Sequence, residues 1–133
     1  MSQRLTEAAK LLLREPVLAH VATVDADCRP QITPVWIDVE GDDVLFNTAE
    51  GRVKPVNVRH NPAVAVSVVD PADPFRVVAF RGQVVELSHE GADEHIDFLA
   101  KKYLGVDSYP NRVETEQRVK VRIRPERIMM QPS

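Results

Sequence analysis

Cysteine is nearly absent from this chain: Cys28 stands alone among 133 residues, so no internal disulfide can form and stability must come from a packed core. Aromatics are scarce too, at 5%, with one Trp and two Tyr scattered along the sequence. Charge of one sign is not in excess, since 17 basic residues face 20 acidic ones and leave a net charge of −3. These two shortages argue against a general nucleic-acid surface, which needs a basic field and stacking platforms. No run of about 18 apolar residues occurs, so no membrane span is expected. The segment Met1-Ser-Gln-Arg-Leu-Thr-Glu7 lacks the apolar core of a secretory signal, and a cytoplasmic, reducing setting is the expectation.

Several chemistries drop out on spacing. No two of Gly41, Gly51, Gly82, Gly91 and Gly105 stand as a dinucleotide or nucleoside-triphosphate loop requires. His89-Glu-Gly-Ala-Asp93 starts like a zinc-protease helix, but Asp93 occupies the place of the second histidine. His20, His60 and His95 have no other ligand spacing, and no metal site is expected. Ser88 and His89 are chain neighbours that point apart, a poor nucleophile and base pair.

What is present fits one domain spanning residues 1–133, long enough to bury roughly two-thirds of its unfolded surface. Leu5, Ala8, Ala9, Leu12 and Leu13 recur at helical spacing, predicting a helix over residues 4–14 that Pro16 stops. Val17 to Val24 and Gln31 to Val39 read as strands around the turn cluster Asp25–Pro30. After Glu40-Gly-Asp-Asp43, Val44 to Thr48 completes a three-stranded meander. Ala63 to Val69 is continuous enough to predict a strand buried on both faces. Phe75 to Leu87 is a long strand in which Gly82 marks a bulge or close backbone approach. Ile96, Leu99, Ala100, Tyr103 and Leu104 form one helical stripe ended by Gly105. Gln117 to Arg124 alternates, with Val119, Val121 and Ile123 inward and the basic residues outward, and Ile128 to Gln131 adds a last short strand. Hairpin-joined strands with three inserted helices predict a mainly β or α+β class and an antiparallel barrel.

The most informative stretch runs from Phe46 to Pro62, where a strand passes through a polar turn into a short basic helix that Asn61-Pro62 ends. Unpaired N–H groups and partial positive charge at a helix start, with Thr48, Gly51, Arg52 and Lys54 beside them, would seat an anion such as a phosphorylated ligand. A solvated capped helix is the alternative reading of the same residues.

The hairpin Asp27-Cys-Arg-Pro-Gln-Ile-Thr-Pro-Val-Trp36, the helix opening Asn47-Thr-Ala-Glu-Gly-Arg-Val-Lys54, Asn57-Val-Arg-His-Asn-Pro62, Phe80-Arg-Gly-Gln-Val-Val85 and Lys102-Tyr-Leu-Gly105 occur in this order. Together they resemble the pyridoxine 5′-phosphate oxidase-like split β-barrel flavoproteins, and most closely the subgroup that uses the deazaflavin coenzyme F420. The resemblance covers about Leu11 to Met130. It implies an antiparallel split barrel of the FMN-binding type with three helices, built as a homodimer whose cofactor lies between two chains, and a small-molecule substrate. By position, Gln31, Thr33, Pro34, Val35 and Trp36 would line the ring, with Asn47, Thr48 and Ala49 on the next strand. Arg52 and Lys54 would hold the phosphate and acidic tail, supported by Asn57, while Phe75 and Arg76 would come from the partner chain. The implied activity is F420-dependent hydride transfer with an electron-poor unsaturated or quinone-like compound. No catalytic acid is specified; water or Tyr109 would deliver the proton. FMN is the alternative cofactor, because the phosphate seat serves a ribityl phosphate as well as the F420 phosphodiester. Flavin or haem binding without catalysis is the non-enzymatic alternative. B6 oxidation is not implied, since Arg127-Ile-Met-Met-Gln-Pro-Ser133 lacks the tail tryptophan those oxidases carry beside their arginine. Arg59 would extend Arg52 and Lys54 into a basic track for an oligoglutamate tail.

Overall fold

The computed structural model describes residues 3–131. Helix α1 (Glu7–Arg14) opens at Thr6, whose hydroxyl accepts from Ala9 N at 3.1 Å, and it buries Ala9, Leu12 and Leu13. Because the cap sits at Thr6, the helix starts later than the apolar spacing predicts, and Leu5 is buried outside it. Strands β1 (Ala19–Val24), β2 (Pro30–Val35), β3 (Ile37–Glu40) and β4 (Asp43–Ala49) follow, then α2 (Val53–His60), β5 (Ala63–Asp70), β6 (Asp73–Ser88), α3 (Ala92–Leu104) and β7 (Arg118–Gln131). Every pairing is antiparallel, in the order β2-β1-β5-β6-β7-β4-β3.

Three predicted elements are corrected. The single strand expected over residues 31–39 is two strands that break at Trp36: β2 pairs with β1, β3 pairs with β4, and they occupy opposite edges of the sheet order. The sheet must therefore curl until these edges approach, which is the split-barrel arrangement with three helices. In place of the expected meander there are two hairpins, β1–β2 and β3–β4, and the single residue Trp36 between them redirects the chain. The two short segments expected at the C-terminal end merge into one strand of 14 residues, because β6 shifts register at Arg81/Gly82 and lets Pro125 lie opposite Gly82 without breaking the ladder. A Cβ on Gly82 would stand 2.3 Å from Arg124 O, the close approach its position predicts.

β5 is the third correction. It alternates rather than being buried on both faces: Val64, Val66 and Val68 point into the core, while Ala63 and Ala65 are exposed. The strand buried on both faces is β4. Its Val44 and Phe46 enter the barrel with Val119, Val121 and Ile123, and Leu45 and Ala49 are buried on the side where α3 packs. Leu104, expected on the buried stripe of α3, is half exposed at the helix end.

The end of α3 fastens the barrel where the chain changes edges. Tyr103 Oη accepts from Ile37 N at 3.0 Å and donates to Val17 O at 2.5 Å. Lys102 Nζ donates to Leu13 O and to Ile37 O, each at 2.7 Å. Trp36 stacks on the Tyr103 ring with centroids 5.1 Å apart and planes 7° from parallel. Among the described residues no helix is long and apolar enough to cross a membrane.

Tyr103→Phe deletes a donor and an acceptor at once and leaves Ile37 N–H and Val17 C=O without their partner, so a loss of roughly 1–3 kcal/mol in unfolding free energy is expected. Burial raises the Tyr103 phenol to about 12 and lowers the Lys102 ammonium to about 8. Between about pH 8 and 10.5 the unfolded chain binds more protons at Lys102, so this corner gains stability as pH rises; between 10 and 12 the unfolded chain loses the Tyr103 proton first, and stability falls. Denaturant titrations across pH 8–11 should show the fall above pH 10 diminished in Tyr103→Phe relative to wild type.

Candidate functional site

The β4-to-α2 connection turns on Glu50-Gly51, with Gly51 in the left-handed region at φ 88°. α2 then starts without a side-chain cap: Arg52 occupies the N-cap position and no acidic residue lies in the first turn. Its first N–H groups are thus left for another acceptor. Opposite them runs the edge strand β2, where Gln31 and Thr33 pair with Thr23 and Val21 and share the same face of the ladder. Between these elements lies a cavity of about 260 Å³.

The cavity collects most of the residues singled out from sequence. Gln31, Thr33, Pro34 and Val35 line it from β2, Asn47 and Thr48 from β4, and Arg52 and Lys54 from the α2 opening. Others lie apart. Ala49 is buried beside Arg118 on β7. Trp36 has its ring stacked on Tyr103 and meets the edge of Tyr109 at 6.1 Å. Phe75 is 78% exposed near the tip of the β5–β6 hairpin, and Arg76 is paired there with Asp70 at 3.0 Å and Glu15 at 3.2 Å.

Lys54 is the distinctive group. Only 6% exposed, it donates from Nζ to Gln31 Oε1 at 3.1 Å and to Thr33 Oγ1. Among the described residues no carboxylate pairs with it, and burial pushes its ammonium below the ordinary lysine range. Asn57 supports it at one remove: Asn57 Nδ2 donates to Thr23 Oγ1 at 2.9 Å, and Thr23 Oγ1 donates to Gln31 Oε1 at 3.4 Å. Both Asn57 and Thr23 are buried, so this chain fixes the orientation of the Gln31 carbonyl that Lys54 uses.

The neighbouring cations are differently placed. Arg52 Nη2 donates to Glu116 Oε2 at 2.5 Å, and Glu116 also accepts from Arg118 Nη1 at 3.3 Å. The Arg52 guanidinium, reinforced by Arg118, holds the Glu116 carboxyl below the usual range. Arg118, expected to face outward, is instead buried, donating from Nε to Asn47 Oδ1 at 2.8 Å with its guanidinium over the Tyr109 ring. Asn47 Nδ2 in turn donates to Ala92 O at 2.8 Å and His95 Nδ1 at 3.2 Å, so its side chain ties β4 to α3. Arg59 is clamped bidentately by Glu50 at 2.6 and 2.7 Å. Arg59 and His89 hold the Glu50 carboxyl down to about 2. The basic track expected along α2 is therefore interrupted by Glu50 and Glu116, which leaves Lys54 as its cation without a carboxylate partner among the described residues.

Sequence reasoning missed Glu116 and Thr23. Glu116 is 64 residues from Arg52 and lies in the irregular segment before β7, where no periodicity marks it. Thr23 reads as an ordinary strand residue; only the register that sets it opposite Gln31 exposes its role. Among the described residues no group of three or more His, Cys, Asp or Glu is placed to hold a metal ion.

Comparison with known proteins gives a consistent family signal. The family model described as pyridoxamine 5′-phosphate oxidase matches residues 5–131. A solved structure named an F420 reductase is 30% identical, covers 94% of this chain and 98% of its own, and superposes with a TM-score of 0.82. HupZ of Group A Streptococcus is 24% identical over 97% of this chain and 95% of its own, with a TM-score of 0.71. General Stress Protein 26 of Bacillus anthracis, 17% identical over 96% of this chain and 94% of its own, has a TM-score of 0.70. The last two establish likeness of fold alone. Among curated proteins no sequence matches this chain.

A buried ammonium without a counter-ion opposes folding of the ligand-free protein. Lys54→Met keeps the buried stem and removes the charge, so its unfolding free energy, measured without ligand by denaturant titration, is expected to equal or exceed that of wild type.

Proposed function

The chain belongs to the pyridoxamine 5′-phosphate oxidase family, and from that membership we propose that it is an oxidoreductase dependent on the deazaflavin coenzyme F420. Its substrate in this reading is an electron-poor unsaturated or quinone-like small molecule. The observation that carries the reading is Lys54, an ammonium held in a cavity with hydrogen-bond acceptors but no carboxylate beside it. Such a group fits an anion, and the uncapped start of α2 with Arg52 adds donors of the same sign. When bound, a deazaflavin supplies a hydride equivalent from its ring.

The residues of the chain have the remaining tasks. Lys54, Arg52 and the α2 N–H groups hold the anionic part. Gln31, Thr33, Pro34 and Val35 set polar and apolar groups along one flank of the cavity, where a ring would be aligned, and Thr48 closes it from β4. Asn57 and Thr23 keep Gln31 oriented. What supports F420 over FMN is the 30% likeness to the F420 reductase; the anion seat itself suits either phosphate, and Arg59 is engaged by Glu50.

The assembly in this reading is a homodimer. At about 260 Å³ the cavity falls below the roughly 300–1,000 Å³ of sites that enclose a drug-sized ligand, so one chain supplies part of the enclosure. A separate groove of about 480 Å³ runs over the outer faces of β1, β5, β6 and β7, floored by Ala22, Ala65, Ser67 and Ala79 and edged by Ile32 and Met129. These small residues admit close approach of a second surface, and an apolar exposed groove favours being covered. A second copy would bring Phe75 and Arg76 toward the site of the first.

Lys54→Ala should weaken F420 binding about ten- to hundred-fold, and Arg52→Ala less, since a buried charge-assisted contact contributes roughly 1.5–3 kcal/mol. Fluorescence titrations with F420 and FMN measure both; unchanged affinity in both variants would sink the assignment. In light scattering at micromolar concentration the protein should have twice the mass of one 14.9 kDa chain, and a monomer mass would contradict the homodimer.

A further inference from the structure

Behind the cavity lies a buried histidine that the proposed chemistry does not use. His95 on α3 has 8% of its side chain exposed, and its Nε2 is buried without a hydrogen bond among the described residues. Its other nitrogen, Nδ1, meets Asn47, which lines the cavity from β4. The Asn47 amide is fixed from two further sides. Arg118 Nε can only donate and lies 2.8 Å from Oδ1, whereas Ala92 O can only accept and lies 2.8 Å from Nδ2. Reversing the amide would set donor against donor and acceptor against acceptor. The second N–H of Nδ2 therefore points at His95 Nδ1, 3.2 Å away, and that nitrogen must accept. A neutral His95 thus carries its proton on Nε2, which faces Asp38 Oδ2 at 3.4 Å.

We propose that neutral His95 is a positioning residue for the cavity: its bare Nδ1 holds the Asn47 amide in place, and protonation at that atom releases Asn47 and weakens binding of the ligand. An imidazolium has two N–H groups and no acceptor. Its Nε2–H keeps Asp38, but its Nδ1–H is set against an N–H of Asn47. The amide cannot turn over without losing both Ala92 O and Arg118, so it shifts, and the cavity wall shifts with it. Arg118 also holds Glu116, the partner of Arg52, which carries the disturbance to the α2 opening. Three charged groups face the ring. Asp38 on β3 attracts an added proton, while Arg118 on β7, across Asn47, and Lys102 on α3, within the field of Asp38, repel it. A ligand that needs the ordered wall binds the neutral form more tightly, so affinity falls in acid. One ordinary hydrogen bond corresponds to about fivefold in affinity.

This role rests on the reading of the cavity as the cofactor site, but its first test needs no ligand. Two-bond proton–nitrogen NMR of the wild-type protein at pH 8 should show Nδ1 of His95 as the unprotonated nitrogen; a proton there overturns the proposal. In His95→Asn the new Oδ1 takes the place of Nδ1 and cannot be protonated, whereas His95→Leu has no acceptor. Fluorescence titrations with F420 and FMN at pH 8 and 5.5 compare the three proteins. The ratio of wild-type to His95→Asn affinity cancels the titration of the ligand and of shared groups, including His89 beside Glu50. It should drop about fivefold on acidification, and at pH 8 His95→Leu should bind about fivefold more weakly than His95→Asn. A ratio that ignores pH, or equal binding by the two variants at pH 8, overturns the proposal and leaves the cavity reading intact if Lys54→Ala still weakens binding. Affinities that ignore Lys54→Ala, or no binding of F420 or FMN to wild type, overturn the cavity reading and the proposal with it.

Discussion

Two strands that are neighbours in the chain, separated by one residue, lie at opposite edges of a seven-stranded sheet, and this constraint shapes the rest of the molecule. A flat sheet cannot satisfy it. The sheet curls, the valines and isoleucine of β1, β5, β6 and β7 meet inside, and the chain crosses the seam at Trp36. β2 and β3 are not paired with each other, and beside this seam Lys102 and Tyr103 make hydrogen bonds to the backbone of Leu13, Val17 and Ile37. The candidate site follows from the same geometry, because the edge left open on β2 faces the start of α2, where no side chain caps the helix and Lys54 reaches Gln31 and Thr33 rather than a carboxylate.

The polar groups behind the site form one connected layer. Arg52, Glu116, Arg118, Asn47 and His95 are joined in sequence by ion pairs or hydrogen bonds, running from the cavity rim to a ring nitrogen buried under α3. His95 Nε2 ends the series, 3.4 Å from Asp38 Oδ2 and without a hydrogen bond among the described residues. Such a layer fixes β4, α3 and β7 relative to one another, as buried polar networks do when nearly every member is satisfied. Lys54 stands outside it. Its partners, Gln31 and Thr33, belong to β2, and among the described residues no carboxylate pairs with its charge.

Much of the fold was legible because it depends on local signals: alternation in Val119, Val121 and Ile123, the Pro16 stop, the Asn61-Pro62 end of α2, and Gly82 at a close approach. The break at Trp36 was not, since Gln31 to Val39 contains no glycine and its turn is imposed by pairing with two different strands. Exposure of the Ala65 face of β5 was equally hidden, because alanine and serine fit a buried strand and an open groove alike. In the site, residues contiguous with the α2 opening were readable from helix-end electrostatics. The carboxylates that engage Arg52 and Arg59 were not, because which acid reaches which base is settled by tertiary placement rather than spacing.

The pairing of β4 with β7 joins Val44 to Ile123, so the barrel closes only when segments far apart in the chain meet. The hairpins β1–β2, β3–β4 and β5–β6 are local and can form early, but none of them encloses the core. Contact order of this kind slows folding, since loop-closure entropy is lost before non-local contacts repay it. During that interval β2 and β3 are unprotected strand edges flanking an exposed apolar interior. Newly made chains are consequently most prone to aggregate before β7 docks, and conditions that speed completion of the C-terminal strand govern the yield of native protein.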